Sequence, residues 1–343
     1  MLHVGLDLSR RRLDYHVLDD VGETLAVDAV PPDADGLCRL SSRFPVPIRA
    51  AIESMTGARF VHDQLELAGW EVEIADAARV KGLAPLACKT DRIDARVLAE
   101  LSWRDLVPSI WLPQPRIREE RERARFRLHL VRHRTSLKNR VHSTLLAHGV
   151  PCPVSDLFGL RGRRLLERLR LPQPWLANVE ASLELIDYLD SEIVRYEIEL
   201  ERLGADHPYV PLLRTIPGLG WVLAYTVAAE IGSIERFPTP TKLAGYTGLC
   251  PRVYQSGASD RRGSLSKQGP RYLRWALIEA TSHACRHPAY ATRYQQTKQR
   301  LGTQRGASVA RVQLARTLAH AIWHMLTRNQ PFAPASAAGP LAA

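Results

Sequence analysis

The amino-terminal stretch of the chain, residues 2–8, reads LHVGLDL. Its leucines and valine alternate with His3, Gly5 and Asp7, and this period of two predicts a β-strand with one apolar face. An acid flanked by leucines in a central strand is costly unless it has a partner. Asp7 is therefore the first candidate functional residue.

The pattern that follows this strand alternates between strands and helices. We predict strands over 2–8, 12–19, 23–30, 47–54 and 71–75, and helices over 31–44, 57–68 and from residue 77 onward. This order, β-β-β-α-β-α-β-α, predicts a mixed α/β sheet domain over residues 1–110.

The middle of the chain is helical and polar. Ten Lys and Arg side chains stand against three acids between Arg116 and Arg140. A second long helix is predicted over 179–203, with apolar residues mostly three to five apart. Because a proline-rich insert at 151–178 separates the two, we expect an antiparallel coiled-coil arm over 111–208, which could also serve as a dimerisation surface.

The last third is predicted to be mainly helical over 209–330, followed by a disordered tail at 331–343, which is rich in proline and alanine. The fold class expected from the sequence is thus α/β plus all-α, in one chain.

The composition excludes several classes of protein. With 45% hydrophobic and 24% charged residues in 343, the chain is neither fibrous nor disordered. No uncharged apolar run reaches about 18 residues, which argues against a membrane span. Five separated cysteines without a C-x-x-C pair favour reduced thiols, so we expect a cytoplasmic protein.

Positive charge is concentrated at one end of the chain. From Arg252 onward there are 14 Lys and Arg against two acids, a net charge of +12. The whole chain carries +11, so the first 251 residues are net −1. Because cations that neutralise phosphates release condensed counterions, this segregation indicates nucleic-acid binding.

Three further acids complete a candidate metal site. Glu53 ends the strand predicted over 47–54, and Asp91 and Asp94 lie three apart at a helix start. Carboxylates suit Mg²⁺, which takes oxygen ligands and leaves positions for phosphate oxygens. Taken singly, the helix acids are most often solvated charges beside the helix dipole, and Glu53 could be a surface acid.

The basic third contains a candidate nucleophile. Residues 248–263 are predicted to form a loop, and Ser256 lies there in a Ser-Gly pair whose hydroxyl could attack a phosphodiester. Such a serine alone is most often only a turn residue. Pro270 suits the first turn of the next helix. Lys267, Arg271 and Arg274 around that helix start predict a phosphate-binding site.

Gly218 and Gly220 lie in the stretch 215–224, TIPGLGWVLA. This stretch is similar to a helix-hairpin-helix turn, whose glycine amides approach a phosphate group. A plain pair of antiparallel helices remains an equally good interpretation.

Taken together, these residues resemble the DEDD transposases of the insertion-sequence one-ten family, which includes the Piv-type invertases. The resemblance extends over nearly the whole chain. The matching fragments are GLDLS at 5–9, IESMTG at 52–57, KTDRIDA at 89–95, IPGLG at 216–220, GYTGLCP at 245–251, SG at 256–257 and SKQG at 266–269.

The resemblance implies a RuvC-like (ribonuclease-H-like) domain, a coiled-coil arm and a carboxy-terminal transposase domain. Asp7, Glu53, Asp91 and Asp94 would hold Mg²⁺. The serine of the family's Pro-x-x-x-x-Ser-Gly pattern falls on Ser256, five residues after Pro251, and would form a phosphoserine link to DNA.

The resemblance also implies partners: the DNA of the element ends and target, a structured guide RNA, and further copies of the chain in a dimer or tetramer. One subunit's RuvC-like domain would complete its site with the serine domain of another. The candidate nucleic-acid-binding residues are Arg252, Arg261, Arg262, Lys267, Arg271, Arg274, Gly218 and Gly220.

Two other functions remain open at the level of sequence. The first domain could be a metal-dependent junction nuclease, with the basic third serving only as a DNA-binding platform. The chain could also be a non-catalytic nucleic-acid-binding or assembly protein.

Overall fold

The structure, a computed structural model, describes residues 1–45, 47–83, 91–256 and 259–334. For residues 91, 92, 256, 259, 260, 262, 303 and 304 it describes the backbone alone. Contacts divide the chain into two compact units, residues 1–112 and 113–343.

The first unit is built on a five-stranded mixed sheet in the order β3-β2-β1-β4-β5. Strands β1, β2 and β3 are antiparallel, whereas β1, β4 and β5 are parallel. The strands are β1 Leu2–Leu8, β2 Leu13–Leu18, β3 Thr24–Val30, β4 Ile48–Glu53 and β5 Glu71–Ala75. The predicted mixed α/β order is therefore present.

Helices cover both faces of this sheet. Val4 and Leu6 of β1 pack into a core with α1 (Ala34–Arg43) and α2 (Ala58–Leu67). On the opposite face lie α3 (Ala77–Leu83) and α4 (Asp91–Trp103), which contribute buried apolar side chains of their own. The alternation in β1 thus separates an apolar core from the face that carries Asp7.

Two long helices open the second unit. Helix α5 (Pro115–Ala147) and helix α7 (Trp175–Ala205) pack against each other. They run antiparallel, because Arg123 pairs with Glu199 near one end and later α5 residues pair with earlier α7 residues: Arg127 with Glu197 and Arg134 with Asp190. Between them, the insert contains α6 (Leu160–Glu167).

The rest of the second unit is mainly helical. Its helices are α8 Val210–Leu213, α9 Trp221–Ile231, α10 Pro240–Tyr246, α11 Arg271–Ala284, α12 Pro288–Arg300 and α13 Thr303–Arg328, with a short 3-10 turn at Ile234–Arg236. Their buried side chains form one core that also includes Ala124 of α5 and Leu200 of α7.

The loop predicted over 248–263 is wrong. The structure has a β-hairpin there, with β6 at Pro251–Ser256 paired antiparallel to β7 at Ser259–Leu265.

Part of the predicted tail is described. The amide of Phe332 donates a hydrogen bond of 2.8 Å to Thr215 Oγ1, and its ring lies 6.0 Å from that of Tyr290. These contacts attach residues 331–334 to the helical unit. The remainder of the predicted disordered tail, 335–343, lies outside the described residues.

Candidate functional site

Asp7 and Glu53 lie at the carboxyl ends of neighbouring parallel strands. Leu6 of β1 is paired with Ile52 of β4, so the next residue in each strand is one of the two acids. Both side chains are half-buried, and both have an interaction partner. The strand register therefore places these two predicted acids side by side on the sheet.

Helix α4 carries the other two predicted acids across the same face of the sheet. Its last turn is anchored where His3 Nδ1 lies 3.2 Å from Ser102 Oγ. Further along, a Cβ on Gly5 would lie only 1.8 Å from the Ala95 carbonyl oxygen. The helix thus runs opposite to β1, and its first turn extends toward the end of the strand that holds Asp7.

Asp94 is half-buried in this first turn of α4, and it too has an interaction partner. Asp91 begins the helix, but the position of its side chain is outside the described part of the molecule. Lys89 and Thr90, which belong to the same sequence motif, also lie outside it.

Asp14 is a fifth acid that the sequence analysis missed. It is the cross-strand partner of Asp7 in the β1–β2 pair and is only 3% exposed. Arg12 holds it with an Nε–Oδ1 distance of 3.0 Å. Cross-strand partners share a face, so Asp14 lies on the Asp7 side. The alternation of Asp14 with Leu13 and Tyr15 is the sequence signal that could have identified it.

Two buried histidines lie on the same face beneath α4. Burial, and next the charge of Arg49, lowers the pKa of His3 below its usual 6.5. Burial also lowers the pKa of His16, with a smaller contribution in the same direction from Arg96 of α4. Both imidazoles are therefore neutral near pH 7, and His16 Nε2 lies 3.0 Å from Thr24 Oγ1.

The donor chemistry of the acids fits a hard divalent cation. Asp7, Glu53 and Asp94 offer only carboxylate oxygens, the ligand type that Mg²⁺ prefers. Among the side chains that the structure describes, no group of three or more His, Cys, Asp or Glu is placed to hold a metal ion. Asp91 is not among those side chains.

Ser256 is the last residue of β6, where its register partner is Ser259. The next register pair on the same face of the hairpin is Tyr254 with Arg261. Arg252 lies two residues before Tyr254 on β6. Because strand residues two apart share a face, position 256 shares its face with two arginines. Arg252 and Arg261 are both exposed.

The base of this hairpin is fixed to the helical unit. The amide of Ser266 donates to the Cys250 carbonyl at 2.8 Å, and that of Lys267 donates to the Gly248 carbonyl at 3.1 Å. Arg274 of α11, a predicted phosphate ligand, donates to the Thr247 carbonyl at 3.2 Å. Arg274 therefore has a positioning contact in addition to its charge.

The other predicted cation of α11, Arg271, belongs to a cluster that the sequence did not reveal. The guanidinium carbons of Arg125, Arg132 and Arg271 lie 5.0, 5.4 and 4.9 Å from the centre of the Tyr272 ring. We call these three arginines and Tyr272 the arginine cluster. It joins the first long helix of the arm to the helix that follows the hairpin.

The charges of the arginine cluster are only partly neutralised. Arg125 makes two hydrogen bonds, of 2.7 and 2.9 Å, to the carboxylate of Glu230. Within the described residues, no carboxylate lies within 4.0 Å of the guanidinium nitrogens of Arg132 or Arg271. An open groove of about 430 Å³ borders the cluster. Glu122 also lines this groove, and the guanidinium groups of Arg132 and Arg271 are the ones that can accept an anion.

Gly218 and Gly220 have different surroundings. Gly218 has a φ of 91°, and a Cβ there would lie 2.3 Å from the Ala280 carbonyl oxygen of α11. Packing alone therefore requires glycine at 218. Gly220 precedes α9, is exposed, and a Cβ there would meet no atom within 4 Å, so its surroundings leave room for a phosphate.

Among the helices described, none combines the length and the apolar composition needed to cross a bilayer.

Comparison with known proteins gives matches at both ends of the chain. Residues 4–149 match the DEDD transposase model of IS110, and residues 210–296 match the model described as "Transposase IS116/IS110/IS902 family".

Individual relatives agree with these models. The transposase for insertion sequence element IS1328 of Yersinia enterocolitica is 27% identical over 340 residues, 96% of this chain and 98% of the relative. The transposase for IS1111A of Coxiella burnetii is 29% identical over 256 residues, 71% of this chain and 68% of the relative. A pilin gene-inverting protein of Moraxella bovis is 31% identical over 124 residues, 35% of this chain and 38% of the relative.

Proposed function

The chain belongs to the IS116/IS110/IS902 family of transposases, and on that premise we propose that this enzyme cuts and rejoins DNA through a phosphoserine link at Ser256. Transposition and gene inversion are the activities that these relatives are named for. The serine step is the part of the proposal that needs a test.

In this step, one bond to phosphorus forms for each one that breaks. The Ser256 oxygen forms a bond to the phosphorus of a DNA phosphodiester while the bond from phosphorus to one sugar oxygen breaks. The serine proton leaves to solvent or a base, and the sugar oxygen takes up a proton to become a hydroxyl. Attack by another DNA hydroxyl on the phosphoserine reverses these changes and rejoins a strand, so no nucleotide cofactor is consumed.

The position of Ser256 is the observation that carries the proposal. It ends a strand of an exposed hairpin and shares a face with Arg252 and Arg261. Guanidinium groups on that face stabilise the negative charge that develops on a phosphate under attack. The arginine cluster, with Lys267 and Arg274 nearby in sequence, adds positive charge for the flanking phosphates.

Membership of the DEDD family implies dependence on a divalent metal ion. We infer that the ion is Mg²⁺ and that Asp7, Glu53, Asp91 and Asp94 are its ligands. When bound, the ion supplies positive charge beside the phosphate and leaving oxygens. The protein's own contribution would be the strand register that sets Asp7 beside Glu53 and the helix whose first turn carries Asp94.

The proposal extends to partners. DNA is the substrate of a transposase, and we infer that a guide RNA selects its sequence and that the chain acts as a dimer or tetramer. A basic surface that contacts phosphate and sugar carries no sequence information itself. The concentration of cations after Arg252 is consistent with a protein that binds the nucleic-acid backbone while the guide RNA selects the sequence.

The experiment is covalent trapping. A radiolabelled, nicked DNA substrate that carries the element end should become attached to the full-length protein in the presence of Mg²⁺ and RNA from the flanking region. Ser256→Ala should abolish the adduct completely. Ser259→Ala is the matched control, because it removes a hydroxyl from the facing strand position, and it should leave the adduct within about twofold of wild type.

An adduct that persists in Ser256→Ala would contradict the proposal. So would strand cleavage that survives Ser256→Ala but is lost in Asp7→Asn, which is the result expected of a junction nuclease with a passive basic platform. Cleavage that survives both changes would remove the catalytic role of the two sites altogether.

A further inference from the structure

A second concentration of arginines lies at the far end of the arm, in the insert between α5 and α7. Arg161, Arg164 and Arg168 are spaced by three and four residues along α6 and its carboxyl end, so they lie on one face of the helix. Arg170 follows two residues later. All four side chains are exposed.

These four arginines line one groove of about 580 Å³, and we call it the tip groove. Its remaining lining is apolar and comes from Val150, Pro151, Leu165 and Leu169. The groove thus combines a row of cations with a floor that can contact uncharged groups.

The tip groove carries charge that the described part of the chain leaves uncompensated. No described carboxylate lies within 4.0 Å of the guanidinium nitrogens of these four arginines. Arg163 in the same helix differs from these four arginines, because it pairs with Asp187 of α7. Arg163 therefore attaches α6 to the arm, whereas the other arginines face outward.

The platform beneath the groove is a packed structure. Leu157 and Leu166 of the insert are 1% and 5% exposed, and they share a small core with Val141 and Leu145 of α5 and Val179 of α7. Buried apolar contacts consequently hold the helix backbone from which the arginines extend. Like charges three and four residues apart on a helix repel one another, and a polyanionic ligand would relieve that repulsion.

The length of the row indicates the kind of ligand. Seven residues of helix separate Arg161 from Arg168, which is about 10 Å at 1.5 Å per residue. A small anion needs donors that converge on one point, whereas a nucleic-acid strand repeats its phosphates along its length. Duplex DNA carries one charge per about 1.7 Å of axis.

We propose that the tip groove binds the phosphodiester backbone of a nucleic acid, as a site separate from the serine hairpin and from the four acids. The proposal rests on the chain being a DNA-handling enzyme, but it does not depend on the phosphoserine step. Its ligand is either the DNA substrate or an RNA, since both present the same backbone charge.

The test is a binding titration with full-length protein, without Mg²⁺ so that no chemistry occurs. The probes are a 40-base-pair duplex of the element end and an RNA transcribed from the flanking region, each at several salt concentrations. The variant Arg164→Gln/Arg168→Gln is compared with Arg39→Gln/Arg59→Gln, which removes two exposed cations from α1 and α2.

We expect the tip variant to bind at least one probe about tenfold more weakly near 0.15 M salt. The slope of log affinity against log salt should fall by about 0.9 per lost contact on duplex DNA, or about 0.7 on single strands. A loss on the duplex alone assigns the groove to DNA, and a loss on the RNA alone assigns it to RNA. The control variant should keep the wild-type slope.

Arg164→Lys/Arg168→Lys distinguishes lost charge from lost structure, because lysine keeps the charge and should restore the slope. Wild-type slopes for both probes in the Gln variant would overturn the proposal and leave an acidic protein as the groove's ligand. Equal losses in the Gln and Lys variants would also overturn it. Absence of a Ser256 adduct in wild type, with the slope change intact, would remove the phosphoserine step and leave the tip groove standing.

Discussion

At the scale of single residues, Glu230 shows how charge is used inside the second unit. Its side chain is completely buried in α9, and Arg125 of α5 holds both carboxylate oxygens. Arg121, one turn earlier, donates to the carbonyls of Ala229 and Glu230 at 2.8 and 2.7 Å. Helix α5 is therefore joined to the helical core through the Glu230 carboxylate and through the carbonyl groups at the end of α9.

Replacing Glu230 by Gln should destabilise the protein, because it leaves the Arg125 guanidinium without its opposite charge. Breaking a buried pair costs about 3–5 kcal/mol. Arg125 is one-third exposed, so we expect about 2–3 kcal/mol, measured by urea unfolding. The exposed Glu235 provides the control, and Glu235→Gln should change stability by less than about 0.5 kcal/mol. Equal effects of the two changes would argue against a structural role for the pair.

His16 gives a prediction about pH. Burial lowers its folded pKa below 6.5, so as the pH falls below 6.5 the unfolded chain takes up a proton that the folded chain does not. The free energy of unfolding should therefore decrease as the pH falls from about 7.5 to 5.5. His16→Gln should reduce this decrease, whereas His283→Gln, at an exposed position, should leave it as in wild type. An unchanged pH dependence in His16→Gln would show that the imidazole does not contribute to it.

At the scale of secondary-structure elements, the contact between β1 and α4 decides where the acids lie. A Cβ on Gly5 would lie 1.8 Å from the Ala95 carbonyl oxygen and 2.3 Å from the Ala99 amide nitrogen. Both atoms belong to helix backbone, which cannot rotate away as a side chain can. The absence of a side chain at Gly5 thus sets the distance between helix and sheet.

Gly5→Ala should displace α4 and move Asp94 away from Asp7. Overpacking usually costs about 1–3 kcal/mol, and contact with backbone puts this change at the upper end. Metal-dependent DNA cleavage should fall at least tenfold under conditions in which the variant is still folded. Gly82→Ala is the matched control, since a Cβ there meets no atom within 4 Å, and it should be nearly neutral. Full activity in Gly5→Ala would mean that α4 need not pack this closely.

The sequence predicted the strands of the first unit and missed the hairpin of the second. Strands β1 and β4 alternate or are continuously apolar because they pack against helices. The hairpin of β6 and β7 was missed because Arg252, Tyr254 and Arg261 on one of its faces are all exposed, as is Val253 on the other. Without a core-facing side, hydrophobicity has no period of two to detect.

Only some residues of the candidate site could be identified from the sequence. Asp7 could be selected because a charge among leucines is unusual, and Glu53 because it ends a buried strand. Asp14 was passed over because a strand register cannot be read from one strand alone. Arg125 and Arg132 belong to a helix rich in arginine, and only the fold distinguishes the two beside Tyr272 from their neighbours.

At the scale of the whole molecule, the chain separates two kinds of chemistry. The first unit carries carboxylates on one face of a sheet, and the second carries the hairpin serine, the arginine cluster and the tip groove. The charge segregation in the sequence indicated this separation, but it could not identify the contribution of the arm. The insert at 151–178, which looked like a connection, contains four outward-facing arginines.

The length of α5 has a consequence for how far one subunit reaches. A helix of 33 residues is about 50 Å long at 1.5 Å per residue, which matches roughly 15 base pairs at 3.4 Å each. The arginine cluster includes Arg125 and Arg132 of this helix, and the lining of the tip groove begins at Val150, 18 to 25 residues further along the chain. If the tip groove binds the DNA duplex, one subunit contacts it at two places about 27–38 Å apart along the arm, roughly one helical turn of DNA. The footprint that it protects from a chemical probe should then be interrupted, with an open stretch between two covered ones.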